Sequence, residues 1–245
     1  MKTLFSHIPS FFTLVLLLTC TTLLTACNQE EGITEPLDDT PTEAQAAQIV
    51  EAALVSDGQG LDAATAEMID LAKAAPTTTE CGNQIDSTFI FNRNTDRLTA
   101  NYEVALQWTP SCGPGGLVRS LTFGRSSSGA YQTQRMSSED SSKGNFTVDN
   151  LTGGTSLVVN GSYSRTGSQQ MLTRGGRSFN SQIDLTIESL SINKGTKRIE
   201  SGQSDFTLTG TSAQGRSFAV DGTIVFRGAG SATIIINGNQ YEVNR

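Results

Sequence analysis

The chain has almost no histidine. Its one histidine, His7, lies in an N-terminal apolar segment, and no residue after it is a histidine. This scarcity excludes a Ser-His-Asp triad, a Cys-His pair and a histidine-ligated zinc or iron site from the rest of the chain. Glycine-rich phosphate-binding loops and calcium-loop patterns are absent as well. We therefore predict that the protein is not an enzyme and has no catalytic residue, no metal site and no cofactor.

Clustered positive charge is also missing. The net charge is −7, from 17 Lys and Arg against 24 Asp and Glu, and the arginines are scattered singly. Residues 28–80 hold twelve acidic residues and one basic residue, whereas residues 81–245 hold twelve acidic and fifteen basic residues. No stretch combines clustered basic residues with stacking aromatics, so we predict no nucleic-acid partner. The acidic part is predicted to be a solvated stalk and a solvated helical face.

The longest apolar run is confined to the N-terminus. Lys2 precedes a segment from Phe11 to Leu24 that threonines interrupt and a polar, acidic stretch follows. Such a segment is too short and too interrupted to span a membrane, and it is typical of a secretory signal peptide. It ends in Leu24-Thr25-Ala26-Cys27, which resembles a bacterial lipobox, in which the cysteine becomes the lipidated first residue of the processed protein.

The residues after Cys27 extend this resemblance. Asn28-Gln29-Glu30-Glu31 is similar to the short acidic tags that send lipoproteins of the Bacteroidota to the cell surface. Together with a helical preface and a Ser/Thr-rich β region, the chain resembles uncharacterised Bacteroidota outer-membrane lipoproteins. The resemblance implies a signal peptide over 1–26, lipid attachment at Cys27 and an outer-membrane location. It also implies exposure at the cell surface, with a periplasmic face as the alternative, and it implies no activity.

The remaining cysteines suggest a covalent link. Cys20 leaves with the signal peptide and Cys27 is acylated, so Cys81 and Cys112 remain as a pair. In an exported chain such a pair predicts a disulfide. The alternative is two reduced thiols that act as a nucleophile or as metal ligands.

Helical signals follow an acidic, flexible tether predicted over 27–39. Thr40 is the predicted N-cap of a first helix, with Pro41 at the first helical position. Apolar residues at helical spacing predict a second helix from about Leu61 to Ala75. This helical hairpin, predicted over 40–76, carries an alanine-rich apolar stripe that we expect to pack on a sheet.

From Ile85 onward the apolar pattern changes to a period of two. The first hairpin is predicted to pair Phe89 with Tyr102, with a turn near Thr95-Asp96. Further alternating runs continue to an Asn237-Gly238 hairpin, whereas 124–144 and 165–177 are interpreted as Ser/Gly/Arg-rich connections. Residues 77–245 are therefore predicted to form a mainly β domain: an antiparallel meander of roughly ten to twelve strands, barrel-like or strongly curved.

Two functions remain open at this point. The first is a membrane-anchored, non-enzymatic surface module, structural or adhesive, whose polar strand faces or loops contact a ligand or protein partner. The second is a lipid carrier, because a long meander with a helical hairpin is similar in layout to periplasmic lipoprotein carriers, which fold an unclosed barrel capped by helices. An empty apolar cavity between sheet and helices would favour the carrier, and a filled interior would count against it.

Overall fold

A computed structural model describes residues 39–74, 81–173 and 176–244 of the chain. They belong to one compact unit that begins at Asp39. The signal segment, Cys27 and the predicted tether up to residue 38 lie outside the described residues. Two helices, α1 (Glu43–Leu54) and α2 (Leu61–Ala74), are joined through a 3₁₀ turn (Ser56–Gly58). The strands that follow are β1 (Ile85–Asn94), β2 (Leu98–Cys112), β3 (Val118–Thr133), β4 (Met136–Asp149), β5 (Ser156–Met171), β6 (Ser178–Asn193), β7 (Ile199–Ser212), β8 (Ser217–Gly228), β9 (Ser231–Ile236) and β10 (Asn239–Asn244).

The strands form a single antiparallel sheet in which each strand pairs with its neighbours in the chain. Within the described residues the sheet is unclosed, with β1 at one edge and β10 at the other. Buried and exposed residues alternate along β2 to β7, as a sheet with one covered face requires. The predicted mainly β meander is confirmed, at the lower end of the expected strand number.

The helical hairpin covers the buried face of this sheet, which we call the inner face. Helix α1 contacts β9 and β10, and α2 contacts β3 and β4. The apolar stripe is buried, as expected from its spacing; its members include Ala46, Val50, Ala53, Ala64 and Met68. Small alanine side chains let the helices lie close to the strands, so the hairpin and the sheet share one hydrophobic core.

The first helix begins later than its sequence signals predict. Thr42, not Thr40, is the N-cap: its side chain accepts a hydrogen bond from the Gln45 amide, and the Gln45 side chain accepts one from the Thr42 amide. This reciprocal pair is a capping box. The prediction of Thr40 was wrong because the side chain that closes the box is Gln45, three residues after Thr42.

The pairing of β1 with β2 differs from the prediction by two residues. Phe89 lies opposite Val104, and Phe91 lies opposite Tyr102. The turn residues are Asp96 and Arg97, because Thr95 and Leu98 bond each other through their backbones. The Thr95 hydroxyl also accepts hydrogen bonds from the backbone amides of Arg97 and Leu98. Thr95 therefore closes the hairpin rather than occupying its turn.

This register brings the two cysteines together. Extended to the open end of the hairpin, it places Cys81 directly opposite Cys112, whereas the predicted register made them diagonal neighbours. Their Cα atoms lie 5.7 Å apart, within the range of ordinary disulfides, and the two sulfurs are bonded. The predicted Cys81–Cys112 disulfide is confirmed, and it ties the start of the edge strand to the sheet.

Two segments interpreted as connections are long strands. Residues 124–144 complete β3 and form much of β4, and residues 165–171 extend β5. The apolar alternation fails there because polar side chains take inward positions, among them Arg125, Ser127 and Arg165. The predicted Asn237-Gly238 hairpin is confirmed, with Ile234 opposite Tyr241. The register between β6 and β7 shifts after Glu188.

Candidate functional site

The inner face carries a buried ion pair at its centre. Arg165 on β5 donates a 2.6 Å hydrogen bond to Asp140 on β4. The side chains are only 4% and 1% exposed, respectively. Ser138 on β4 donates a second hydrogen bond to Asp140, at 2.7 Å. A charge pair this deep is stable only because each partner has compensating hydrogen bonds.

Two tyrosines complete this cluster. The Tyr102 hydroxyl lies 3.1 Å from an Asp140 carboxylate oxygen, and the Tyr131 ring lies over the Arg165 guanidinium at 5.4 Å. Burial raises the pKa of Tyr131 to about 12 and raises the pKa of Tyr102 further still. Both phenols are therefore neutral at physiological pH; Tyr102 hydrogen-bonds Asp140, whereas Tyr131 packs against Arg165 through its ring.

The helical hairpin supplies the remaining partners of the buried arginines. Arg165 donates a 2.6 Å hydrogen bond to the carbonyl of Ala52 in α1. Arg125 on β3 donates to Glu67 of α2 at 2.7 Å and to the side chain of Gln59 at 2.7 Å. Docking of the helices thus gives Arg125 its anionic partner and gives Arg165 a further acceptor beside Asp140.

The acidic residues of the hairpin contact the sheet rather than only solvent. Five acidic residues in or just before the hairpin form ion pairs with basic residues of the strands and of the turns between them, namely Asp39 with Arg216, Glu51 with Arg135, Asp57 with Arg93, Glu67 with Arg125 and Asp70 with Lys197. The prediction of a purely solvated acidic face was wrong for these residues. The reason is that basic residues, single along the sequence, gather around the inner face once the strands pair. Most of these pairs are partly exposed, so each contributes little by itself.

Glu43, at the start of α1, binds the opposite end of the chain. Its carboxylate accepts hydrogen bonds from Asn237 and Asn239 at 2.7 Å and from Tyr241 at 3.1 Å. The hydrogen bonds from Asn237 and Asn239 are the main cause of a lowered pKa of Glu43. This contact joins the first helix to the last hairpin of the sheet.

In the described residues the space between sheet and helices is largely filled. A cavity of about 160 Å³ lies between α1 and the turn that joins β3 to β4. The cavity beside Arg165, lined in part by Ile49, Tyr131 and Gln169, has a volume of about 10 Å³. That is close to the space one water molecule needs. A cavity of this size cannot hold an acyl chain. The packing around Arg165 therefore counts against the lipid-carrier hypothesis.

The opposite, outer face of the sheet forms a broad groove of about 1010 Å³ at one end. Two rows of side chains, each running across five strands, line it. The first row is Asn101, Ala130, Glu139, Ser168 and Asn180, and the second is Thr99, Gln132, Ser137, Gln170 and Ser178. Hydroxyl and amide groups predominate, with strands spaced about 4.7–4.9 Å apart. This surface, which we call the polar groove, is a candidate binding site on the described residues.

The described residues hold no group of three or more His, Cys, Asp or Glu side chains suited to a metal ion. Among the same residues, neither helix is long and apolar enough to cross a membrane. Sequence reasoning missed Arg125, Asp140 and Arg165 because they lie in the segments interpreted as connections. A signal was present: Arg125, Ser127 and Tyr131 keep one parity with the apolar residues of the same strand.

Comparison with protein families, with characterised proteins and with solved structures finds no match for this chain. The class of the described part therefore comes from its fold alone: an unclosed antiparallel meander whose inner face holds a helical hairpin.

Proposed function

We propose that this chain is a surface lipoprotein of the Bacteroidota type, anchored to the outer membrane by a lipid on Cys27, that binds a partner in the polar groove. The contrast between the two sides of the sheet supports this proposal. The inner face is filled by a buried charge cluster and two helices, whereas the outer face presents an open groove. Binding, rather than catalysis or transport through the interior, is the function that this arrangement favours.

The chemistry of the groove favours a neutral, hydroxyl-rich polymer such as a polysaccharide. Its two rows offer hydroxyl and amide groups that both donate and accept hydrogen bonds. Only a few charged residues line the groove, among them Asp96, Arg97 and Glu139, so it has no cationic patch for an anionic polymer. The rows run from strand to strand, so an extended chain lying along them meets a polar group at each strand.

Removing hydrogen-bonding groups from the groove is expected to weaken polysaccharide binding. The double variant Gln132→Ala/Gln170→Ala should bind its best neutral polysaccharide at least tenfold more weakly, a loss of about 1.4 kcal/mol. The measurement is calorimetric titration of the full chain with dextran, mannan and a starch-type glucan. Thr122→Ala/Thr147→Ala, a cross-strand pair on the same face outside the groove, is the matched control. Absence of binding to any neutral polymer, or equal losses in both variants, would contradict the polysaccharide proposal.

The anchor is tested separately. Cys27→Ala should move most of the protein from the membrane fraction to the soluble fraction, because it removes the only proposed site of acylation. Immunoblotting of fractionated cells measures the shift, with Cys81→Ser/Cys112→Ser as a control that should remain in the membrane. Unchanged membrane retention of Cys27→Ala would contradict the lipobox interpretation. Native mass spectrometry of the wild-type chain should show acylation without a further bound lipid, whereas a bound lipid would favour the carrier.

A further inference from the structure

The edge strand β1 exposes a large apolar side chain on each face of the sheet. Phe89 is 38% exposed and Ile90 is 59% exposed, and they are two of the few large apolar residues of the described chain that lie open to solvent. Residues 87–92, in the middle of the strand, contain no charged residue and no proline. Natural edge strands are usually protected by lysine, proline or a bulge against pairing with another strand. Strand β1 has none of these along its central part.

The hairpin geometry shows which backbone groups are free. Thr95 and Leu98 exchange backbone hydrogen bonds at the turn. In an antiparallel pair the bonded positions alternate, so the odd-numbered residues of β1 bond to β2. The even-numbered residues therefore direct their N–H and C=O groups to the open edge. These residues are Asp86, Thr88, Ile90, Asn92 and Asn94.

We propose that β1 pairs antiparallel with β1 of a second copy of this chain, about a two-fold axis at Ile90, to form a dimer with one continuous sheet. In this register Ile90 lies opposite its own copy, and Thr88 lies opposite Asn92 of the second chain. Asp86 then lies opposite Asn94. Each free backbone group on these residues gains a partner, and no like charges face each other.

The inner face fits the same register. Phe89 lies opposite Phe91 of the second chain, so the exposed ring of each copy gains an aromatic neighbour. Ser87 faces Arg93, whose side chain already contacts Asp57. A two-fold axis perpendicular to the sheet also keeps both helical hairpins on one side, as a symmetric contact between identical strands requires.

The chain's own N-terminal segment is a less suitable occupant of this edge. Residues 28–38 are rich in glutamate and contain Gly32 and Pro36, a composition that is depleted in strands. A second β1 offers β-branched and aromatic residues instead. The other open edge, β10, is shorter, at six residues against ten for β1.

Cysteine cross-linking tests the register directly on the full chain purified in detergent. Ile90→Cys should form an intermolecular disulfide under mild oxidation, because opposed Cα atoms of a hydrogen-bonded pair lie about 5.5 Å apart. Thr88→Cys should stay uncross-linked, since its two copies lie about 13 Å apart along the strands. The double variant Thr88→Cys/Asn92→Cys should regain the cross-link, and Thr122→Cys, exposed on the central strand β3, should not form one.

Sedimentation and light scattering give an independent readout. The wild-type protein moiety should have the mass of two chains, and Ile90→Lys should halve it, because two ammonium groups meet at the axis. A wild-type chain with the mass of one copy, or equal cross-linking at positions 88 and 90, would overturn the proposal. A ladder of larger assemblies would also overturn it and would indicate head-to-tail contact between β1 and β10.

Discussion

Asp140→Ala is expected to lower the free energy of unfolding by about 3–5 kcal/mol, because it leaves a buried charge without its partner. Arg165 lies beneath the helices, and without the carboxylate its guanidinium retains a backbone carbonyl and a ring contact as compensation. Urea denaturation of the protein with its disulfide intact measures the change.

Two further variants separate charge burial from loss of packing. Asp140→Leu/Arg165→Met removes both charges and should recover much of the loss, since apolar side chains of similar size often replace a buried ion pair at little cost. Arg93→Ala breaks an ion pair whose side chains are about half exposed and should cost less than about 1 kcal/mol. If Asp140→Ala and Arg93→Ala had equal effects, the buried cluster would have no special role in stability.

Loss of the Cys81–Cys112 disulfide is expected to destabilise the protein by about 2–4 kcal/mol. The bond closes a loop with a sequence separation of 31, and in the chain-entropy account it restricts the unfolded chain. It also holds the start of β1, an edge strand with a single neighbour in the described sheet. The free energy of unfolding of Cys81→Ser/Cys112→Ser, from urea titration, measures the effect.

Reductant provides the control for this prediction. Treatment of the wild-type protein with a thiol should produce the same loss, and the double variant should not respond to the thiol. An unchanged urea midpoint in the double variant would show that the β1–β2 hairpin holds without its covalent link. Hydrogen exchange would locate the effect, since the amides of β1 should lose protection before those of β3 to β6.

Much of the architecture was predictable because apolar residues alternate along most strands. The alternation over Leu98–Trp108 correctly predicted a strand, and the Asn237-Gly238 pair correctly predicted a hairpin. The cysteine pair was predicted because two cysteines remain after the expected signal peptide and the expected acylation of Cys27. The register of the first hairpin was not predictable to the residue, because Thr95 could either enter the turn or close it, and both choices keep the same parity.

The buried cluster was harder to infer. Arg125, Asp140 and Arg165 are charged residues in Ser-rich surroundings, and local sequence cannot distinguish such a segment from a solvated loop. Their burial depends on helices from a distant part of the chain, which supply Glu67, Gln59 and a backbone carbonyl. The polar groove depends on the alignment of five strands, so no single segment signals it.

The strictly sequential order of the strands has a consequence for how the chain folds as it is synthesised. The helices emerge first, but Glu43 finds its partners Asn237, Asn239 and Tyr241 only when the last hairpin has emerged. Each strand can pair with its predecessor as it is synthesised, whereas the contacts of α1 with β9 and β10 form only at the end. A chain that stopped before β9 would leave α1 without its contacts to β9 and β10 and Glu43 without its three partners, although Arg135 and Arg165 would still be present. The N-terminal end of α1 therefore reaches its final position only after the C-terminal hairpin has been made.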